Sequence, residues 1–169
     1  IVAHVSMANP VSKSLGQCCE AVLKSLKISH QMNGTYVVME GPQFSTLAES
    51  NLYRTWNADV VGMTNMPEAK LAREAEIRYC TVAMVTDYDC WHPDHDEVDV
   101  SMVVQTLRKN AFDAQNMIKE IIKTFKDFSA DQDPANDCLD AAIITDLKLR
   151  TKKTIKKLKY IAGRALNKR

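Results

Sequence analysis

Hydrophobic positions along the chain change period several times, and each change predicts an element. Leu15, Cys19, Val22, Leu23 and Leu26 recur every three or four residues, which predicts a helix over Ser14–Leu26. Ile1–Ser6, Thr35–Met39 and Asp59–Gly62 are short β-branched or aromatic runs and read as strands. The longest such run, Tyr79–Thr86, reads as a buried strand. Between strands, Gly41-Pro42 stops one run, and Thr46 with Glu49 forms a capping-box pattern for a helix to about Trp56. Pro67-Glu68 are the residue types of a first helical turn. Asp99 or Ser101 opens a long helix to about Phe125, with Val100, Val103, Val104, Leu107, Ala111 and Ala114 as its inner stripe. After a loop at Phe128–Asp137 comes a helical stretch with Leu139, Ala142, Ile143 and Leu147. Thr151–Leu166 then reads as a basic amphipathic helix with Ile155, Leu158, Ile161 and Ala165 inside. Strands alternating with helices predict an α/β fold.

Length and charge refine that picture. A chain of 169 residues suffices for one domain with a real core, residues 126–169 being a helical C-terminal extension. The net charge of +1 is unevenly placed. From Thr145 onward there are ten Lys and Arg against the single acid Asp146. A basic helical face is usually solvated, so neither nucleic acid nor membrane is expected as a partner. No apolar run is long enough to span a bilayer. The five cysteines are an odd number without paired metal spacing, which suits reduced thiols in the cytoplasm.

Candidate chemistry collects at strand ends. Tyr79–Thr86 ends in Asp87 and Asp89, on either side of Tyr88. In α/β sheets ligands sit beyond the carboxyl ends of strands. At i and i+2 of an extended segment both carboxylates leave on one side. Two crowded acids do not both ionise cheaply, so one stays protonated and can act as a general acid. The competing reading is that Asp87 caps the following turn and Asp89 is solvated. Phe44, just before a helix start, either stacks on a flat ligand or belongs to the core. Gly62 permits a close backbone approach, and Thr64 either offers a hydroxyl to an anion or completes a tight turn. His92, Asp94, His95 and Asp96 are metal-type residues, but no ordered element holds them in a fixed geometry, so no metal is expected.

Three stretches together are more specific than any one: EGPQFSTLAES (40–50), ADVVGMTNMPEAKLAREAEI (58–77) and MVTDYDCW (84–91). In this order and spacing they resemble the purine nucleoside phosphorylase family. The TDYDCW form, and HVSMANP near the start, resemble its methylthioadenosine phosphorylase branch.

That resemblance implies a mixed β-sheet flanked by helices and phosphorolysis of a purine nucleoside by inorganic phosphate. It implies no metal or organic cofactor, and a homotrimer or hexamer. Phe44 would pack on the purine, with Ser45 beside it, and Met63 would lie under the ribose. Thr64 would contact phosphate and sugar, and Asp87 and Asp89 would read the base beside Thr86. His4 would lie near the 5′ end, with Val100, Val103 and Val104 as an apolar wall there. Adenine presents an N7 acceptor and an N6 donor, which a protonated carboxyl complements. A 6-oxopurine presents two acceptors, and relatives acting on such bases carry Asn where Asp87 stands and Glu where Ser45 stands. Human-type relatives have Asn at the position of Gly62. The family's Gly-rich phosphate loop, Arg-His pair and Thr-Ala segment have no counterpart here, and Ile1–Val5 reads as the middle of a strand. The sheet is therefore expected to be incomplete, with a second segment or chain supplying most of the phosphate site.

Under this reading the 5′ wall of valines has no partner for a hydroxyl, and burying one unpaired costs about 1–3 kcal/mol. Steady-state kinetics should therefore favour methylthioadenosine over adenosine. Equal kcat/KM for the two nucleosides would contradict the apolar wall.

Overall fold

Ser12 sets the start of the first helix: its hydroxyl accepts the Leu15 N–H (3.2 Å) and donates to the buried carboxylate of Asp133. A computed structural model describes residues 1–92, 100–125 and 132–167, with the backbone alone for 100–103. Its elements are α1 (Lys13–Ser25), β1 (Tyr36–Val38), α2 (Leu47–Thr55), β2 (Val60–Gly62), α3 (Asn65–Glu74), α4 (Val100–Thr124) and α5 (Lys152–Leu166). The α/β class expected from the pattern is borne out. The chain divides into two compact units, one of Ile1–Gln17, Met66–Thr81 and Phe128–Arg169, the other of Cys18–Asn65 and Val82–Asp127.

The second unit carries the sheet. β1 and β2 pair in parallel, Tyr36 with Val60, Val37 with Val61 and Val38 with Gly62. The Asp59 carboxylate accepts the Thr35 N–H (2.6 Å) and so ties the entrances of the two strands together. Parallel strands need a crossover, and α2 supplies it. The unit's core is Val22 and Leu23 against Met117 of α4, with Leu26, Ile28, Val82 and Ile121 around them. α1 closes on Lys27, at φ 56°, while the Ile28 N–H returns to the Leu23 carbonyl (3.0 Å). This is the usual left-handed stop of a helix.

In the first unit Leu139, Ala142 and Ala165 form a core with Val5, Cys138, Ile143 and Ala162. α5 starts at the N-cap Thr151, whose hydroxyl accepts the Thr154 N–H. Arg164 on α5 donates to Glu76 through Nε (2.7 Å) and Nη2, and its Nη2 also meets Asp140 (2.7 Å). Glu76 also accepts the Leu139 N–H (3.1 Å), so one carboxylate joins the chain after α3, the 139 turn and α5. The buried Arg73 reaches the Ser6 and Asn9 carbonyls (3.2 and 2.5 Å).

Several expectations are corrected. Tyr79–Thr86 forms no ladder among the described residues, and Met84 and Val85 are exposed. A β-branched run needs a neighbouring strand to become part of a sheet, and none of the described segments supplies one. Among the described residues Ile1–Ser6 makes an isolated antiparallel bridge, Ala3 to Ile143, and no longer ladder. The stretch around Leu139 and Ala142 is a series of turns, although both side chains are buried as expected. There the Asp133 side chain takes the Ala135 N–H (2.9 Å), a local bond that competes with helix. On α4 the face toward the core is Thr106, Asn110, Asp113, Ala114 and Met117, while Val104, Leu107 and Ala111 are exposed. On α5 Ala162, not Ile161, turns inward. The His92–Asp96 metal reading beyond His92, the helix start at Asp99 and residues 128–131 lie outside the described residues. No described helix is long and apolar enough to cross a membrane.

The hydrogen bond from Arg164 is the main cause holding the Glu76 carboxyl below its ordinary range. A depressed carboxylate stabilises the fold above its unfolded-state pKa, and that contribution fades as pH falls through the folded value. Replacing Arg164 by Met should lower the urea midpoint at neutral pH, modestly because the side chain is 40% exposed. The difference from wild type should shrink once Glu76 is protonated. A difference independent of pH would contradict the role of this pair.

Candidate active site

The carboxyl ends of β1 and β2 lie side by side because the two strands are parallel. Met39 to Phe44 leave one end and Met63 and Thr64 leave the other. Gly41 sits at φ 70°, and a methyl group there would come within 2.6 Å of the Met63 sulfur. Its missing side chain thus makes room for Met63. Gly62 has a comparable role toward the core: a methyl group there would meet the Tyr36 hydroxyl at 2.0 Å. The close approach expected at Gly62 is therefore to Tyr36.

Ser45 donates to the Met39 sulfur (3.5 Å). Thr46 then caps α2 in the expected capping box, its side chain taking the Glu49 N–H while Glu49 takes the Thr46 N–H (2.7 Å). The Thr46 backbone bond, followed by its hydroxyl, holds the Glu49 carboxyl below its ordinary range. Phe44 is 84% exposed at the mouth of this helix, which overturns the core reading for it. Thr64 is exposed immediately before α3.

The segment after Val85 folds against α2. Asp89 to Trp91 form a 3₁₀ turn, and Asp89 sits at φ 59°. The Asp87 Oδ1 accepts the Asp89 N–H (3.0 Å) and its Oδ2 accepts the Thr86 hydroxyl (2.7 Å). Asp87 thus caps the following turn, as the competing reading had it. The argument that both carboxylates leave an extended segment together does not apply, because Asp89 is not extended. Each Asp87 oxygen keeps further acceptor capacity, so capping does not exclude contact with a ligand.

Three ties hold this turn and the run before it, and none follows from sequence spacing. The Cys90 thiol donates to the Ser45 carbonyl (3.4 Å). The Arg54 guanidinium lies 4.0 Å from the centre of the Trp91 ring. Asn110 on α4 donates to the Val85 carbonyl (3.2 Å). The only sequence signal for the second tie is a cation in the last turn of α2 and an aromatic two residues after Asp89.

The structure thus brings Ser45, Met63 and the Thr86–Trp91 segment into one unit, around the ends of β1, β2 and α2. Val104 belongs to the same unit and is exposed on α4. Val100 and Val103 occupy the first turn of α4, and their side chains lie outside the described set. His4 belongs to the other unit, where its N–H donates to the Ala142 carbonyl (2.9 Å) and its side chain is exposed. Among the described residues no three His, Cys, Asp or Glu side chains are grouped to hold a metal.

A model of the family described as the phosphorylase superfamily matches residues 2–123. The chain belongs to that superfamily. Curated relatives bear out the branch read from TDYDCW and HVSMANP. The chain is 58% identical over 167 residues to the S-methyl-5′-thioadenosine phosphorylase of Rhodospirillum rubrum, covering 98% of this chain and 57% of the relative. It is 49% identical to that of a Synechocystis species, covering 97% of this chain and 51% of the relative. Among solved structures it is similar to a methylthioadenosine phosphorylase from an antarctic soil metagenomic library. That match has a TM-score of 0.86 and 42% identity, with 95% of this chain and 56% of the other covered. It is also similar to the Schistosoma mansoni methylthioadenosine phosphorylase in complex with adenine, at a TM-score of 0.68 and 30% identity, with 76% and 50% covered. The chain spans about half the length of the curated relatives it matches.

Gly41 is a testable part of this arrangement. Gly41→Ala should cost about 1–2 kcal/mol, because a left-handed backbone and the Met63 contact both oppose a methyl group. Combining it with Met63→Ala should recover the steric part of that loss. Thermal denaturation of the single and double variants reads the difference. A double variant no more stable than the sum of the two single losses allows would contradict the contact.

Proposed function

We propose that this chain carries the base- and sugar-facing part of an enzyme that cleaves 5′-methylthioadenosine with inorganic phosphate. The products are adenine and 5-methylthioribose 1-phosphate. The observation that carries the reading is the convergence of Ser45, Met63 and the Asp87 turn at the ends of one parallel strand pair. Ligands bind at such ends in α/β sheets, and the relatives' names fit the same chemistry.

In this reading Phe44 covers one face of the purine, and its exposure leaves the ring free to do so. Ser45 lies beside the base and Met63 lies under the ribose. A carboxyl O–H on Asp87 donates to N7 while its other oxygen accepts from the N6 amine, and Asp89 and Thr86 flank that contact. As the C1′–N9 bond breaks, its electron pair goes to the base and the Asp87 proton goes to N7. Phosphate oxygen attacks the oxocarbenium-like C1′ from the opposite face. Thr64 offers a hydroxyl to phosphate and sugar. One hydroxyl cannot hold a multiply charged anion, since such sites combine several N–H donors with Arg or Lys. Other segments of the working enzyme would supply those groups. On the family resemblance, the start of α4, which carries Val100, Val103 and Val104, is assigned to the 5′ substituent.

The reaction so written needs phosphate as co-substrate and no metal or organic cofactor. A homotrimer or hexamer in the cytoplasm is the assembly we propose, on the family resemblance. Five free cysteines suit a reducing compartment.

Asp87→Asn tests the acid. Asparagine keeps a two-point contact with adenine but has no proton to transfer. In a preparation that releases adenine from methylthioadenosine and phosphate, kcat/KM should fall on the order of 10²-fold or more, chiefly in kcat. Nucleosides of 6-oxopurines should lose far less. Unchanged turnover of methylthioadenosine would remove Asp87 from the acid role.

A further inference from the structure

We propose that Arg54 is a positioning residue for Asp87, acting through Trp91; the proposal rests on the reading of Asp87 as the group facing the base. The carboxylate is oriented by the Asp89 N–H, which donates to its Oδ1 at 3.0 Å. That N–H belongs to the first residue of the 3₁₀ turn, and Trp91 is the last. Asp89 is a non-glycine residue at φ 59°, a conformation that surrounding contacts must enforce.

Two contacts from opposite ends of α2 grip this turn. At the entrance of α2, the Ser45 carbonyl takes the Cys90 thiol (3.4 Å), a weak donor. In its last turn, Arg54 places its guanidinium 4.0 Å from the Trp91 ring centre. A flat cation on an indole face is the strongest pairing of this kind among side chains. The ring is further packed by Tyr88, edge-on at 6.2 Å between centroids, and by His92 at 5.2 Å. Trp91 therefore transmits the position of α2 to the turn. The same helix begins next to Ser45 and Phe44, so one rigid element sets the aim of the acid relative to the residues that flank the base. Arg54 touches no substrate in this scheme.

The test compares Arg54→Ala, Arg54→Lys, Trp91→Phe and Asp87→Asn, alone and with Arg54→Ala in the Asp87→Asn background. On the 169-residue chain, amide hydrogen exchange read by NMR should show the Asp89 N–H losing its protection in Arg54→Ala. The amides of Val22 and Leu23 in the core should be unchanged. Lysine keeps the charge but not the flat stack, and should restore only part. Trp91→Phe should resemble Arg54→Lys, and it serves if Arg54→Ala fails to fold. In a preparation that turns over methylthioadenosine, Arg54→Ala should lower kcat on the order of 10- to 100-fold, the scale of a small misplacement of a reacting group. It should add little once Asp87 is already Asn. Unaltered Asp89 exchange, or an Arg54 loss that multiplies fully with the Asp87 loss, would overturn the proposal. If Asp87→Asn leaves turnover intact while Asp89 exchange still responds to Arg54, the acid assignment fails and the mechanical link stands.

Discussion

A short parallel ladder sets the frame of the candidate site. Three residue pairs between β1 and β2, tied at their entrance by the Asp59 carboxylate, place two chain exits side by side. Parallel pairing obliges the chain to cross over, and the crossover is α2. The helix that satisfies this requirement is capped by Thr46, next to Ser45, and ends near Arg54. A single topological requirement thus yields both a surface at the strand ends and a rigid element to frame it. Glycine serves the ladder twice, Gly62 yielding to the Tyr36 hydroxyl and Gly41 to the Met63 sulfur.

The Asp87 turn is built differently. Its run has no ladder partner among the described residues, so hydrogen bonds along a sheet do not hold it. Side chains from two helices and one backbone carbonyl hold it instead: Asn110 on Val85, Arg54 on Trp91, and the Ser45 carbonyl on Cys90. The position of the turn therefore depends on groups distant from it in sequence.

Sequence reasoning succeeded where the signal is local. The capping box at Thr46 and Glu49, the two short strands, α1 and α5 all follow from neighbours within four residues, and they form as expected. The family was legible because three motifs occur in fixed order, which no single motif could have established. Reasoning failed where the outcome depends on distant partners. Tyr79–Thr86 has strand composition, yet pairing requires a neighbour that the run cannot specify. On α4, Ala114 faces inward as expected but Val104, Leu107 and Ala111 do not, because Met117 against Val22 and Leu23 sets the rotation of the helix. The Asp87–Asp89 spacing suggested two parallel carboxylates; a left-handed Asp89 turned it into a capped turn. Arg54 on Trp91 was invisible, since nothing local links residues separated by β2, α3 and the Tyr79–Thr86 run.

The central claim is that the Asp87 carboxyl meets the edge of an adenine ring. The most direct measurement is the carboxyl carbon resonance of Asp87, in aspartate-labelled protein, titrated with adenine and separately with hypoxanthine. The account predicts a saturable shift of the Asp87 resonance with adenine and a much weaker response to hypoxanthine. Asp113, on α4, should stay unmoved in both titrations. Adenine that binds without moving Asp87, or hypoxanthine that moves it equally, would contradict the account.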